Sequence, residues 1–202
     1  MKARDAEYGV AGLALPGQGR SGDHHVICCR ADGILAAAID GIGHGDSAAA
    51  AAHAAASILE AHAGEPIITL MRLCDEALRS TRGVVLSLAS IDLPHGMMTW
   101  LGVGNVQGVL MRAGGQTGNV QEVLMLRGGV VGAQLPSLQA AVLPVSPGDT
   151  LVFATDGVRD EFMQSLLGME SPQRAADRIL ERYYTGNDDA LVLVVRLPGI
   201  RS

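Results

Sequence analysis

Residues 33–59 read GILAAAIDGIGHGDSAAAAAHAAASIL. An apolar run closes on a glycine-rich turn, Asp40-Gly41-Ile42-Gly43-His44-Gly45, and a helical pattern follows at once. Strand, glycine turn and helix open a dinucleotide-binding unit, but the same order also presents a strand-end carboxylate to a cation. Spacing and charge decide against the first. A dinucleotide fingerprint needs G-x-G-x-x-G, so that backbone N–H groups and a helix N-terminus meet a pyrophosphate. Here Asp46 stands where the third glycine belongs, and Asp40 would face the phosphates with like charge. The acidic residue expected about 20 residues on, after a second strand, falls inside the helical pattern as Glu60.

A carboxylate at the end of a buried strand, beside a glycine with a free carbonyl, supplies oxygen donors. Such donors select hard cations, Mg²⁺ or Mn²⁺. The chain repeats this device. TLVFATDGV (150–158) places Asp156 after an apolar run and before a glycine. RSGDHHVICC (20–29) places Asp23 just before a strand, and GNDDALVLVV (186–195) does the same with Asp188 and Asp189. In an antiparallel sheet one strand's end lies beside its neighbour's start, so these carboxylates gather along one edge. Like charges so gathered call for cations to neutralise them. From the residues alone, four unrelated turn aspartates stay open as the plain alternative.

Around these positions the chain reads as strands at Tyr8–Leu15, His25–Arg30, Ile34–Ile39, Val84–Ile91, Met97–Val103, Val106–Met111, Val120–Leu126, Thr150–Ala154 and Leu191–Arg196. Asp46 or Ser47 is expected to cap a helix running to about Ala63. A second helix begins at Pro66 and carries Ile67, Leu70, Met71, Cys74 and Leu78 at the helical period. A third opens at Ser171-Pro172 and ends near Tyr184, and residues 112–119 form a loop between strands. Runs of strands with grouped helices predict an α+β layered fold with mainly antiparallel sheets.

Composition narrows the function. The 202 residues carry a formal net charge of −6 and no basic cluster, which argues against nucleic acid. Asp5 and Glu7 spoil the N-terminal stretch as a signal peptide, and the alanine run at 48–56 is too weakly apolar for a membrane span. A cytoplasmic chain that contacts neither membrane nor nucleic acid is expected. Three cysteines, two of them adjacent, make neither a disulfide framework nor a zinc site. His53 and His62 lie on opposite faces of one helix, and at most one of His24 and His25 could face a metal. Met97, Met98 and Trp100 alternate as a packed strand does.

Five pieces now stand in order: SGD (21–23), DGIGHG (40–45) with its alanine-rich helix, GVGN (102–105), ATDGV (154–158) and DDA (188–190). On these the chain resembles the metal-dependent protein phosphatase (PPM) family, in its SpoIIE-like branch, and within that branch the phosphatase of the bacterial stressosome. The resemblance implies a four-layer α/β/β/α sandwich of two antiparallel sheets flanked by helices, one catalytic domain over 1–202 with no regulatory domain. It also implies two divalent ions, Mn²⁺ or Mg²⁺. Carried over, Asp40 bridges both ions. Asp23 and the Gly41 carbonyl serve one of them, and Asp156 and Asp188 the other, with Asp189 the second choice. Asp40 and Asp156 then act through a metal-activated water that attacks phosphorus and expels the serine or threonine alkoxide.

The family's histidine after the DG pair is replaced here by Ile42, which leaves His44 as a substitute proton donor or as a shaper of the turn. Arg20 and Asn105 are the candidates for binding substrate. The implied partners are phosphorylated STAS-domain stressosome proteins, RsbS- and RsbR-like. The alternatives are a SpoIIE- or RsbU-like phosphatase acting on an anti-sigma-factor antagonist, and a pseudophosphatase that only docks partners.

Overall fold

Strands that are apolar on both faces must be covered from both sides, and three segments of this chain are of that kind. They are β3 (Gly33–Gly41), β4 (Val84–Asp92) and β10 (Ala190–Arg196), which are buried almost throughout. The computed structural model describes residues 6–113, 121–166 and 171–198 and shows how they are covered. One sheet has the order β1 (Glu7–Leu13), β10, β9 (Thr150–Ala154), β6 (Gln107–Met111), β7 (Gln121–Val123). The other has the order β2 (Asp23–Cys29), β3, β4, β5 (Met97–Val103), β8 (Ala141–Pro144). Every pairing between these strands is antiparallel.

The period of two along each strand sorts side chains into layers. On β3, Leu35, Ala37 and Ile39 pack under α1 (Asp46–Ala61) and α2 (Ile67–Leu78), while Ile34, Ala36 and Ala38 face the other sheet. On β10, Leu191, Leu193 and Val195 face inward between the sheets. Val192 and Val194 face α3 (Pro172–Tyr183) and the 3-10 turn at Asp160–Ser165. The result is helix, sheet, sheet, helix: the four-layer sandwich the sequence led us to expect. Met98 and Trp100 are buried between the sheets, as their alternation predicts.

Alanine makes the outer layer possible. Ala51, Ala52, Ala55 and Ala56 are all within 1% of full burial, so α1 lies close on its sheet with no long side chain between them.

Three details differ from expectation. Helix α1 ends at Ala61 and starts after Gly45, at φ 74°, with no side-chain cap bond from Asp46 or Ser47. The left-handed turn itself sets the entry angle, which only glycine tolerates freely. The expected strand 120–126 pairs only over Gln121–Val123, and residues 114–120, with most of the loop expected at 112–119, lie outside the described residues. Strand β8 and the 3-10 turn were not foreseen. No helix among the described residues is long and apolar enough to cross a membrane.

Substituting Ala55→Leu should overpack the α1 layer at a cost of roughly 1–3 kcal/mol. For a domain of this size that lowers the thermal midpoint by about 2–4 °C per kcal/mol. Ala50→Leu, on the exposed face of the same helix, should leave the midpoint unchanged.

Candidate metal centre

Strand register brings the carboxylates together. Asp23 at the start of β2 is the direct cross-strand partner of Asp40 near the end of β3. By alternation Asp40 shares the inter-sheet face with Ile34, Ala36 and Ala38, and Asp23 shares that face with Ile27. In the opposite sheet, Thr155 follows Leu151 and Phe153 on the same inward face, and its backbone N–H donates to the Leu191 carbonyl at 3.1 Å. Asp156, Asp188 and Asp189 therefore sit at the same end of the sandwich, where the space between the sheets opens.

Each carboxylate has a distinct set of partners. The Thr155 hydroxyl donates to Asp23 Oδ2 at 2.7 Å and so joins the two sheets. Asn105 Nδ2 donates to Asp156 Oδ2 at 2.7 Å, which brings the GVGN turn into the cluster. Asp189, only 3% exposed, accepts from the Leu15 and Gly22 backbone N–H groups at 2.7 and 2.6 Å. Asp188 Oδ1 accepts from the Asp189 N–H at 2.8 Å. Among the described residues no side-chain donor reaches Asp40.

The charges act on one another. Burial raises the Asp40 carboxyl to about 8, with Asp23, Asp156, Asp188 and Asp189 adding to the rise. Asp23 is raised to about 7, first by burial; the Thr155 hydrogen bond pulls it down, and Asp189, Asp156 and Asp188 push it up. Asp156 is raised by burial and by Asp188, against the hydrogen bond from Asn105. Asp23, Asp40 and Asp156 thus each disfavour ionisation, and a cluster of like charges of this kind calls for cations to neutralise it.

Two glycines shape the turn between β3 and α1. A Cβ on Gly41 would lie 2.2 Å from the Ala48 carbonyl oxygen, so α1 approaches the strand end only because glycine stands there. Gly43 has φ 98°, and a Cβ there would lie 2.7 Å from Arg82 Nη1. The Arg82 guanidinium thus packs over the turn, and the Ile42 N–H is fixed on the Gly83 carbonyl at 3.1 Å. His44 lies exposed on this turn. Arg20 and Asp23 line a cavity of about 510 Å³ with Ser21, His24, Asp46 and His53. A second cavity of about 430 Å³ runs from Asp156 and Asn105 past Arg159 to Thr185.

Thr155, Arg82 and the buried hydrogen bonds of Asp189 were missed in the sequence. Parity along β9 could have placed Thr155 on the inward face. Nothing local marks Arg82, which comes from a different connection.

The residues present fit hard divalent cations. The side chains in the cluster offer carboxylate oxygens, and among the described residues the Asn105 amide is the one side chain hydrogen-bonded to Asp156. As they stand, the side chains form no closed shell: among the described residues no group of three or more His, Cys, Asp or Glu is arranged to hold a metal.

Comparison with known proteins agrees with this geometry. The family model of stage II sporulation protein E (SpoIIE) matches residues 30–198. The chain belongs to the SpoIIE family. A solved structure described under the bacterial stressosome, a modular system adapted to control secondary messenger signalling, is 27% identical, with a TM-score of 0.88 over 96% of this chain and 100% of that one. Phosphoserine phosphatase RsbX of Bacillus subtilis (strain 168) is 21% identical over 80% of this chain and 79% of its own. A crystal structure of RsbX in complex with magnesium superposes with a TM-score of 0.84 at 20% identity, covering 97% of this chain and 98% of that one. The catalytic domain of the serine/threonine phosphatase PstP, in complex with two manganese ions, has a TM-score of 0.73 at 18% identity over 96% and 98% of the two chains. The fold is that of the PPM phosphatases.

The raised carboxyls give a pH signature. Folded Asp23 and Asp40 hold protons that the unfolded chain, titrating near 3.8, has already lost. The folded state therefore binds more protons, and stability falls as pH rises from about 4 to about 8. In chelator the thermal midpoint should drop by several degrees between about pH 5.5 and pH 8.5. Saturating Mn²⁺ should raise it most at the alkaline end, where the ion replaces no proton. A midpoint in chelator that is flat or rising over this range would contradict the clustered arrangement.

Proposed function

We propose that this protein is a divalent-metal-dependent phosphoserine/phosphothreonine protein phosphatase. Its substrates in this reading are phosphorylated STAS-domain proteins of a bacterial stressosome, RsbS- and RsbR-like, which it resets. The observation that carries the reading is the meeting of Asp23, Asp40, Asp156 and Asp188 at the open end of the inter-sheet space, with Asp23 and Asp40 in direct cross-strand register. The RsbX likeness and the stressosome structure at 27% identity support the choice of substrate.

In this reading Asp40 would be shared between two Mn²⁺ or Mg²⁺ ions, Asp23 and the Gly41 carbonyl would help hold one, and Asp156 and Asp188 the other. Bound ions would supply an activated water and charge stabilisation at phosphorus. The chain's own work is orientation. Thr155 holds the Asp23 carboxylate and Asn105 that of Asp156, each through one 2.7 Å hydrogen bond. Arg20, in the cavity beside Asp23, meets the incoming anionic substrate. Cavities on both sides of the cluster leave room for the polypeptide flanking a phosphorylated side chain. The intact carboxylate set speaks against a pseudophosphatase that only docks partners.

Phosphate release from a panel of phosphorylated STAS proteins tests the reading. Release should require Mn²⁺ or Mg²⁺, cease with chelator, and fall by on the order of 100-fold or more in Asp40→Asn, since loss of even an outer partner of a metal ligand costs 10–100-fold. The panel should include an anti-sigma-factor antagonist, and faster turnover of that member would move the assignment to an RsbU-like role. Equal inertness of wild type and Asp40→Asn on every phosphoprotein would overturn the enzymatic reading. With active enzyme, His44→Ala should leave the pH–rate profile unchanged, as an exposed residue shaping a turn would; loss of the alkaline limb would make His44 the general acid.

A further inference from the structure

Asp189 stands where three ligand-bearing turns meet. Its carboxylate takes the N–H of Gly22, the residue before Asp23, and that of Leu15 at the other end of the same loop. Its own N–H is given to the side chain of Asp188. Its backbone lies against the turn after Asp156: a Cβ on Gly157 would fall 1.9 Å from the Asp189 carbonyl oxygen. Gly22 extends the chain of contacts, because its carbonyl accepts the Gly41 N–H at 3.1 Å. One residue is thus linked to the segments carrying Asp23, Asp156, Asp188 and, through Gly22, Asp40 and Gly41.

The chemistry of these bonds calls for an anion with two acceptors. Both carboxylate oxygens face backbone N–H donors, the bond from Gly22 buried and that from Leu15 partly so. Charge-assisted bonds of this kind are about twice as strong as neutral ones. The loop they fix, residues 15–22, carries Arg20 and Ser21 into the wall of the 510 Å³ cavity.

We propose that Asp189 is a positioning residue that couples metal occupancy at Asp188 to the Leu15–Gly22 loop and its cavity wall. This rests on the reading of Asp188 as a metal ligand. An ion held by Asp188 fixes that side chain, the Asp188–Asp189 peptide follows it, and the loop is held through Leu15 and Gly22.

The test uses the full chain and Mn²⁺ itself. In Asp189→Asn one acceptor becomes an NH₂ group facing an N–H donor. Calorimetric Mn²⁺ affinity should weaken by about 10–100-fold, the usual cost of losing an outer partner of a ligand. Phosphate release at saturating Mn²⁺ should return to the wild-type kcat, whereas Asp188→Asn should stay slow at every Mn²⁺ concentration. Thermal unfolding in chelator checks that Asp189→Asn folds. Independently of any variant, Mn²⁺ should slow hydrogen exchange at the Leu15 and Gly22 amides of the wild type.

A low kcat for Asp189→Asn at saturating Mn²⁺ would make Asp189 a ligand and overturn the proposal. Unchanged Mn²⁺ affinity, or wild-type Leu15 and Gly22 amides indifferent to Mn²⁺, would reduce it to a part of the fold. Binding and exchange are read without turnover, so a wild type that binds Mn²⁺ yet releases no phosphate would sink the phosphatase reading and leave this one standing.

Discussion

Everything at the open end of this sandwich depends on holding like charges together. Asp23 and Asp40 are paired across β2 and β3, where like charges directly opposite are destabilising. The strands cannot slip to relieve this. A shift of one residue would turn Ile34, Ala36 and Ala38 out of the inter-sheet core and bring Leu35, Ala37 and Ile39 into it. The hydrophobic pattern of β3 therefore fixes the carboxylate pair, and the extended core stabilises what the charges oppose.

The second constraint is closeness. Large side chains would hold the layers apart, and the chain has few near the site. Alanines seat α1 on its sheet, and Gly41 lets the helix backbone reach the strand end. The aromatic content of 3% is the sequence-level trace of this economy in side-chain size. Bulk is kept for the interior away from the site, where Trp100 and Phe153 fill the space between the sheets.

Much of this was legible because it is local. An apolar run ending in Asp-Gly states both the strand and the carboxylate at its tip, so β3, β9 and the positions of Asp40 and Asp156 could be read directly. Strand β8 was illegible for the opposite reason. Its four residues, half-buried and exposed in turn, end in Pro144 and pair with β5 alone, too short a run for a period to stand out in the sequence. The start of α1 misled because Asp and Ser are habitual caps, while the left-handed Gly45 had already set the helix entry. Beyond local pattern lie the through-space partners. Asn105 reads in the sequence as a candidate for binding substrate, and only the folded chain brings its amide to 2.7 Å from Asp156. Asp189 reads as a twin of Asp188, although its carboxylate is buried on the Leu15 and Gly22 amides.

The hydrogen bonds from Asp189 to Leu15 and Gly22 span 174 and 167 residues of sequence. Strand β1 likewise pairs with β10 over its whole length. A chain growing from the ribosome meets this as a question of timing. β2, β3 and the helices between β3 and β4 can associate early, yet the Asp23 loop lacks its Asp189 anchor until the segment leading into β10 has been made. Until then β1 remains an unpaired edge, and the early carboxylates Asp23 and Asp40 stand without their later partners. Assembly of the centre in this way waits for β10 and the turn before it, so that a chain interrupted upstream of them carries pieces of the site without the site.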